Sequence, residues 1–336
     1  MYSRGGALMA RQGAAILAPA GLTLTAWEKD FFREADPWAF ILFARNVESP
    51  KQLKALTASL RESVGRDALV MIDQEGGRVQ RMRAPHWREF MPPLDQADRT
   101  NDSETFYRRA RLIAHELHQV GIDANCGPCC DIAGPETHPF LQNRCLGRDT
   151  PTVVANARAT ADGYVAGGVL PIMKHMPGHG RTKVDSHLDL PVADIPLAEA
   201  RDWDFVPFRA LADLPMGMTA HMVFPQAGPL PATQNETLLS LIRNDIGFDG
   251  LLMTDDISME ALSGTVAERT LASLNAGCDA VLHCNGKADE MEAVAAAAGL
   301  FTAESQNRAD AAMRLRKTPD DVDIQALEAE FAASFA

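Results

Sequence analysis

No stretch of this chain approaches the roughly 20 consecutive apolar residues that a membrane-crossing helix needs, and no membrane partner is expected. The apolar run nearest the start, Ala14–Ala18, is too short for the core of a secretory leader, so a cytoplasmic location is expected. Positive charge is scarce. Lys and Arg number 32 against 45 Asp and Glu, a formal net charge of −13. That excludes general nucleic-acid binding, which needs a basic surface, but not a small anionic substrate, because a few local cations override the global field. Cysteine is sparse too: Cys126, Cys129, Cys130, Cys145, Cys278 and Cys284 are the whole set. In a chain of 336 residues they make no disulfide framework. Cys126 and Cys129 have the C-x-x-C spacing of a zinc or redox site, but no second pair accompanies them, and they read as reduced packing thiols.

What the chain does have is 46% hydrophobic residues in an ordered alternation. Short β-like runs occur at Ala14–Leu17, Ala39–Ala44, Ala68–Asp73, Asp123–Cys126, Leu170–His175, Gly217–Met222, Leu251–Asp255 and Asp279–Cys284. Helix signals lie between them. Thr25 with Glu28, and Ser49 with Gln52, have capping-box spacing. Pro50 and Pro151 sit where a first helical residue belongs, and Gly121, Gly247 and Gly277 where helices end. Apolar strands alternating with helices predict a parallel sheet covered on both faces. Eight such units predict an α/β fold of the (β/α)₈ TIM-barrel type, with an open doubly wound sheet as the alternative. No linker or repeat divides the chain. Residues 1–12 read as a flexible extension and residues 13–336 as one catalytic barrel domain with C-terminal helices.

Polar residues gather at the ends of these runs. Asp73 closes the third, Lys174 and His175 the fifth, His221 the sixth and Asp255 the seventh. Strands buried in an open sheet have no reason to end in charge so often, whereas in a barrel these ends share the rim on which active sites are built.

Four segments are the most specific: Asp73-Gln-Glu-Gly-Gly-Arg-Val-Gln-Arg81, Lys174-His-Met-Pro-Gly-His-Gly180, Asp185-Ser-His187 and Met253-Thr-Asp-Asp256. Together with Ile41-Leu-Phe-Ala-Arg-Asn46 and Asn143-Arg144, the chain from about Ala39 to Met259 resembles glycoside hydrolase family 3. Within it, the likeness is to the single-domain β-N-acetylglucosaminidases of bacterial peptidoglycan recycling. The resemblance implies a retaining exo-glycosidase with no cofactor and no metal, acting on N-acetylglucosamine-containing muropeptides.

Asp255 and Asp256 are adjacent strand-end acids, and neighbouring strand residues face opposite sides. The resemblance assigns the nucleophile to Asp255. The competing reading is that both acids cap the segment near Ser258. The spacing of Asp185 and His187 lets the carboxylate accept from one imidazole nitrogen and leaves the other free for proton transfer. The resemblance makes this pair the acid/base, His187 protonating the leaving sugar and then activating water. It further implies that Asp73, Arg81, Arg144, Lys174 and His175 bind the sugar. Arg181 stands where the family usually has an acid. A cation there is expected to lower the pKa of His187 and move the activity optimum to lower pH; alternatively Arg181 and Lys183 meet carboxylates of a peptide-bearing substrate.

Rival readings are specific as well. His175, His179, Asp185 and His187 form a His-rich set that a metal-dependent barrel hydrolase would need, although Pro177, Gly178 and Gly180 argue against a helix carrying the first two. A sugar-binding protein without catalysis would leave Asp185, His187 and Asp255 unexplained. Phosphate in place of water as acceptor, a glycoside phosphorylase, is the third.

Overall fold

The computed structural model describes residues 11–100, 102–182 and 190–335. Asp185 and His187 therefore lie outside the described residues, as does Lys183. Eight parallel strands close on themselves: β1 (Gly13–Leu17), β2 (Pro37–Leu42), β3 (Leu69–Ile72), β4 (Ala124–Asn125), β5 (Leu170–Met176), β6 (Met216–Thr219), β7 (Leu251–Asp256) and β8 (Ala280–His283). Each pairs with its neighbours in chain order, and β8 returns to β1 with Leu17 beside His283. The open-sheet alternative is thereby excluded. Strands buried on both faces must be apolar throughout, and β1, β2 and β3 are buried along their whole length.

Every one of the eight apolar runs overlaps one barrel strand, with differences at the ends. The fourth strand shrinks to two residues because Gly127-Pro128 follows, and proline has no N–H to donate to a ladder. The sixth stops at Thr219 rather than Met222, because Ala220 and His221 turn to bond with the segment around Thr233. Helix boundaries follow local chemistry. Thr25 and Glu28 form the full capping box. Ser49 caps Gln52, whose side chain instead donates to Leu22 at 2.7 Å and accepts from the Glu48 amide at 3.0 Å. The helix Thr150–Ala166 starts one residue earlier than expected, since Asp149 accepts the Thr152 amide at 2.9 Å and takes the cap. Gly121, Gly247 and Gly277 all sit beyond helix ends at positive φ.

The two rims differ in what their charges do. At the N-terminal end of the strands, Asp123 is held by Arg61 and Asp279 by Arg243 at 2.6 Å and Arg308 at 3.1 Å, which ties helices to the barrel floor. Arg11 and Gln12, assigned by the sequence to the N-terminal extension, bond to Phe301 and Gln306. The last helix, Ile324–Ala333, lies along the helix Glu104–Gln119. Arg88 forks onto Glu328 at 2.6 and 2.8 Å, and Phe331 meets Phe90 edge-on at 6.0 Å. No helix among the described residues is long and apolar enough to cross a membrane.

Candidate active site

At the C-terminal rim the strand ends surround a cavity of about 190 Å³. That is on the order of six water molecules at roughly 30 Å³ each, the scale of a single sugar ring. Asp73, Arg81, Arg144, Lys174, His175 and Asp255 all border it, so six of the eight predicted site residues converge from four segments. Ile41, Phe43, Met218, Met259 and Leu282 supply the apolar part of the lining, with the Arg81 guanidinium 5.4 Å from the centroid of the Phe43 ring.

The charged wall is one network. Lys174, buried at the end of β5, reaches Asp73 Oδ1 at 2.8 Å and Glu75 Oε1 at 2.6 Å. Arg144 forks onto both oxygens of Glu75, at 2.8 and 2.9 Å, and Arg81 Nη2 takes Asp73 Oδ2 at 3.0 Å. Three cations thus share two carboxylates. Burial opposes ionisation of both acids, but the cations win: Lys174 and Arg81 hold Asp73 far below the usual carboxylate range, and Arg144 with Lys174 brings Glu75 down to about 2. Lys174 is correspondingly held well above the usual amine range, against its own burial.

Glu75 lies within a segment singled out by the sequence, yet no role attached to it. Its position depends on the turn after it. Gly76 has φ of 104°, and a Cβ there would sit 2.0 Å from Arg109 Nη2. Arg109 in turn donates to the Glu75 and Met91 carbonyls at 2.5 and 2.7 Å, locking the turn from behind.

A second acid was also missed. Asp131 is buried and accepts from His175 Nδ1 at 2.7 Å and from the His179 amide at 2.7 Å. Burial would raise its pKa, but His175 and His179 bring it down to about 2. Nδ1 donates to that carboxylate, and the other ring nitrogen, Nε2, lies 3.4 Å from Arg144 Nη2. The only signal available earlier was an acid eight residues beyond the start of the fourth strand run, which says nothing about its partner.

The adjacent pair on β7 has divided roles. Asp256 accepts from the Ser258 amide at 3.0 Å, the Ser258 hydroxyl at 2.7 Å and the Cys284 amide at 3.2 Å. The capping reading therefore describes Asp256 and not its neighbour. Asp255 Oδ1 takes the Asp256 amide at 2.8 Å, and the carboxylate faces the cavity. Burial pushes Asp255 up, but His175, His221, the Asp256 amide and Lys174 outweigh it, so the group stays ionised below its ordinary range. His221, a rim candidate in the sequence, is buried behind the wall. It bonds Thr233 Oγ1 at 2.8 Å and the Asp256 carbonyl at 2.9 Å, pinning the end of β7.

Two buried nitrogens on the cavity wall, Arg81 Nε and His179 Nε2, have no hydrogen-bond partner among the described residues. Leaving such an atom unmatched costs roughly 1–3 kcal/mol, which a polar ligand recovers. Burial, reinforced by His175, lowers His179 to about 4, so it meets a ligand as a neutral imidazole.

Of the His-rich metal set, Asp185 and His187 lie outside the described residues. His175 and His179 stack edge-on at 5.6 Å, while the group close enough to share an ion among the described residues is Cys129, Asp131 and His175. Arg181, expected to act as a bare cation, faces Glu199 at 2.9 Å and Asp204 at 3.2 Å. Burial pushes Asp204 up to about 6 despite that arginine. The corner thus carries two acids against one cation, and the field expected from Arg181 alone is compensated.

Residues 36–316 match the model of the glycosyl hydrolase family 3 N-terminal domain. A beta-hexosaminidase of Pseudomonas aeruginosa is 36% identical over 290 residues, 85% of this chain and 86% of its own. That of Chromobacterium violaceum is 36% identical over 334 residues, 94% of this chain and 93% of its own. NagZ from Neisseria gonorrhoeae, solved in complex with N-trifluoroacetyl-D-glucosamine, superposes with a TM-score of 0.84 at 30% identity, covering 97% of this chain and 99% of that one. A β-N-acetylglucosaminidase from Paenibacillus sp. str. FPU-7 gives 0.86 at 26% identity over 96% of this chain and 67% of that one. A closed eight-strand barrel whose rim gathers the family's motifs around one sugar-sized cavity thus belongs to glycosyl hydrolase family 3, and the chain is a glycoside hydrolase.

Proposed function

We propose that this enzyme is a retaining exo-β-N-acetylglucosaminidase that releases terminal β-linked N-acetylglucosamine from muropeptides in the cytoplasm. The observation that carries the reading is the composition of the cavity wall: an ionised Asp255 on one strand end lines the same cavity as a network of buried cations and carboxylates. The beta-hexosaminidase relatives and the sugar-bound NagZ neighbour support the substrate class.

In this reading Asp73 and Lys174 hold hydroxyls of the terminal sugar, and Arg144, Arg81 and His175 hold the others. A pocket of one-ring size admits the chain end only, hence exo action. Asp255 attacks the anomeric carbon, and the glycosidic C–O bond breaks as His187 gives its proton to the leaving oxygen. Neutral His187, oriented by Asp185, then takes a proton from water, which attacks the same carbon and frees Asp255. Two displacements restore the β configuration.

The test is capture of the intermediate. Quenching the enzyme during turnover of a slowly deglycosylating 2-acetamido glycoside should add one sugar mass to the peptide containing Asp255. Single inversion of configuration, with no adduct, would replace this mechanism with direct displacement. His187→Ala should reduce kcat/KM most for aglycones that are poor leaving groups, because good ones need little protonation. A slope of rate against leaving-group pKa equal to that of the wild type would remove His187 from the acid role.

Asp131→Asn preserves shape but turns one acceptor toward the His175 Nδ1–H into an amide of ambiguous orientation. A charge-assisted hydrogen bond of about 1.5–3 kcal/mol translates to a loss of kcat/KM of roughly 10- to 150-fold. Steady-state kinetics beside an unchanged circular-dichroism spectrum checks it.

A further inference from the structure

Asp185 and His187 lie between two stretches of chain that are pinned to different loops of the barrel. The stretch before them, residues 178–182, is held on the loop after β4. A Cβ at Gly180 would sit 2.2 Å from the Ile132 carbonyl oxygen. The Thr137 hydroxyl donates to the Gly180 carbonyl at 2.5 Å, and the His138 amide to the Thr182 carbonyl at 2.9 Å. The stretch after them is held on the loop after β6. There the Val223 amide donates to the Pro191 carbonyl at 2.8 Å, and the Ala193 amide to the Val223 carbonyl at 2.9 Å.

One side chain crosses from the first stretch to the element that follows the second. Arg181 Nη1 meets Glu199 Oε1 at 2.9 Å, on the helix Leu197–Asp202, and Arg181 Nε meets the two oxygens of Asp204 at 3.2 and 3.3 Å. The acids contribute unequally. Glu199 is half exposed, where an ion pair is screened and weak. Asp204 is buried, so removing the guanidinium would leave a desolvated carboxylate behind. Asp204 also backs the turn before the arginine, its own Cβ lying 2.9 Å from where a side chain on Gly178 would begin. The pins on the loop after β4 run through backbone groups and Thr137, so they do not depend on Arg181. What the guanidinium adds is a fixed separation between the two pinned ends.

We propose that Arg181 is a positioning residue: by stapling the chain ahead of His187 to the chain behind it, through Asp204 and Glu199, it sets where the imidazole stands relative to the glycosidic oxygen. An acid, the family's usual residue at this position, would repel both partners, so the staple is a feature of this chain. The effect on proton transfer rests on the reading of His187 as the general acid; the staple itself does not.

Kinetics and hydrogen exchange on the full-length chain separate the two. Arg181→Ala should lower kcat/KM about ten-fold for a methoxyphenyl β-N-acetylglucosaminide and less than about two-fold for the dinitrophenyl one, whose departure needs little protonation. Arg181→Lys keeps the charge but cannot fork onto two acids. It should show the same bias in smaller measure, and it carries the test should the alanine variant fail to fold. In a His187→Ala background the effect of Arg181→Ala should vanish, because a residue acting through the imidazole then has nothing left to position. Amides of residues 183–193 should exchange faster in Arg181→Ala than in the wild type. Equal losses for both leaving groups, or a loss undiminished without His187, overturn the positioning role. Unchanged exchange overturns the staple. Faster exchange together with a wild-type leaving-group slope in His187→Ala overturns the acid reading and leaves the staple standing.

Discussion

Asp255→Gly should lower the turnover of aryl β-N-acetylglucosaminides by about 10⁴-fold or more, the scale on which loss of a lone covalent nucleophile is felt. Added sodium azide should restore part of the rate, with the product appearing as the α-glycosyl azide. The stereochemistry is the decisive part. With the carboxylate gone, a small anion occupies its place at the end of β7 and attacks the anomeric carbon from the face Asp255 used, so a β-glycoside yields an α-azide in one displacement. The neighbouring acid supplies the contrast. Asp256 has its oxygens committed to Ser258 and the Cys284 amide, so Asp256→Asn should loosen the end of the strand and show no azide rescue. Residual activity of Asp255→Gly near the wild-type level, or a β-azide product, would remove Asp255 from the reaction.

The largest expected effect on stability comes from Glu75. Its carboxylate carries the charge that both Arg144 and Lys174 need, and all three side chains are buried. Breaking a buried ion pair by removing one partner costs about 3–5 kcal/mol, because the remaining charges stay desolvated and uncompensated. Glu75→Gln should therefore lower Tm by several degrees and raise KM as Lys174 and Arg144 shift toward Asp73. The pH dependence carries a signature. The folded-state pKa of Glu75, about 2, lies below its ordinary value of 4.5. Its contribution is complete above about pH 5, and it disappears as pH falls from 4.5 toward 2, amounting to roughly 3 kcal/mol by linkage. Denaturant titrations of wild type and variant should hence run parallel at neutral pH, separated by the full difference, and converge in acid. Curves that keep a constant gap down to about pH 2 would mean that Glu75 is neutral in the fold.

Barrel and rim were legible because both are repetitive. Eight apolar runs separated by helix signals leave little freedom in topology, and polar ends such as Asp73, Lys174 and Asp255 mark one rim of a closed sheet. What could not be read was partnership across the chain. Asp131 lies 44 residues from the imidazole it orients, and nothing near Asp131 differs from an ordinary loop acid. Glu75 sits two residues beyond Asp73, but its salt bridge to Arg144 spans 69 residues. The sequence shows Arg181 as a cation without showing its acids, because Glu199 and Asp204 lie on a later segment. Asp255 and Asp256 look equivalent as letters; only the amides of Ser258 and Cys284, fixed by folding, tell them apart. Asp185 and His187, read from spacing and resemblance, lie outside the described residues, so their geometry toward Asp255 rests on the leaving-group experiment.

The seam at which β8 meets β1 has a consequence for biosynthesis. Leu17 finds its hydrogen-bonded neighbour in His283, and Ala14 and Gln12 find theirs in Gly299 and Phe301. A ribosome delivers the first of these strands long before the last, so during translation β1 waits with one edge unpaired while some 260 residues are still to be made. The nascent polypeptide is most exposed to aggregation in that interval, and chaperone dependence should ease only after residue 301 leaves the exit tunnel.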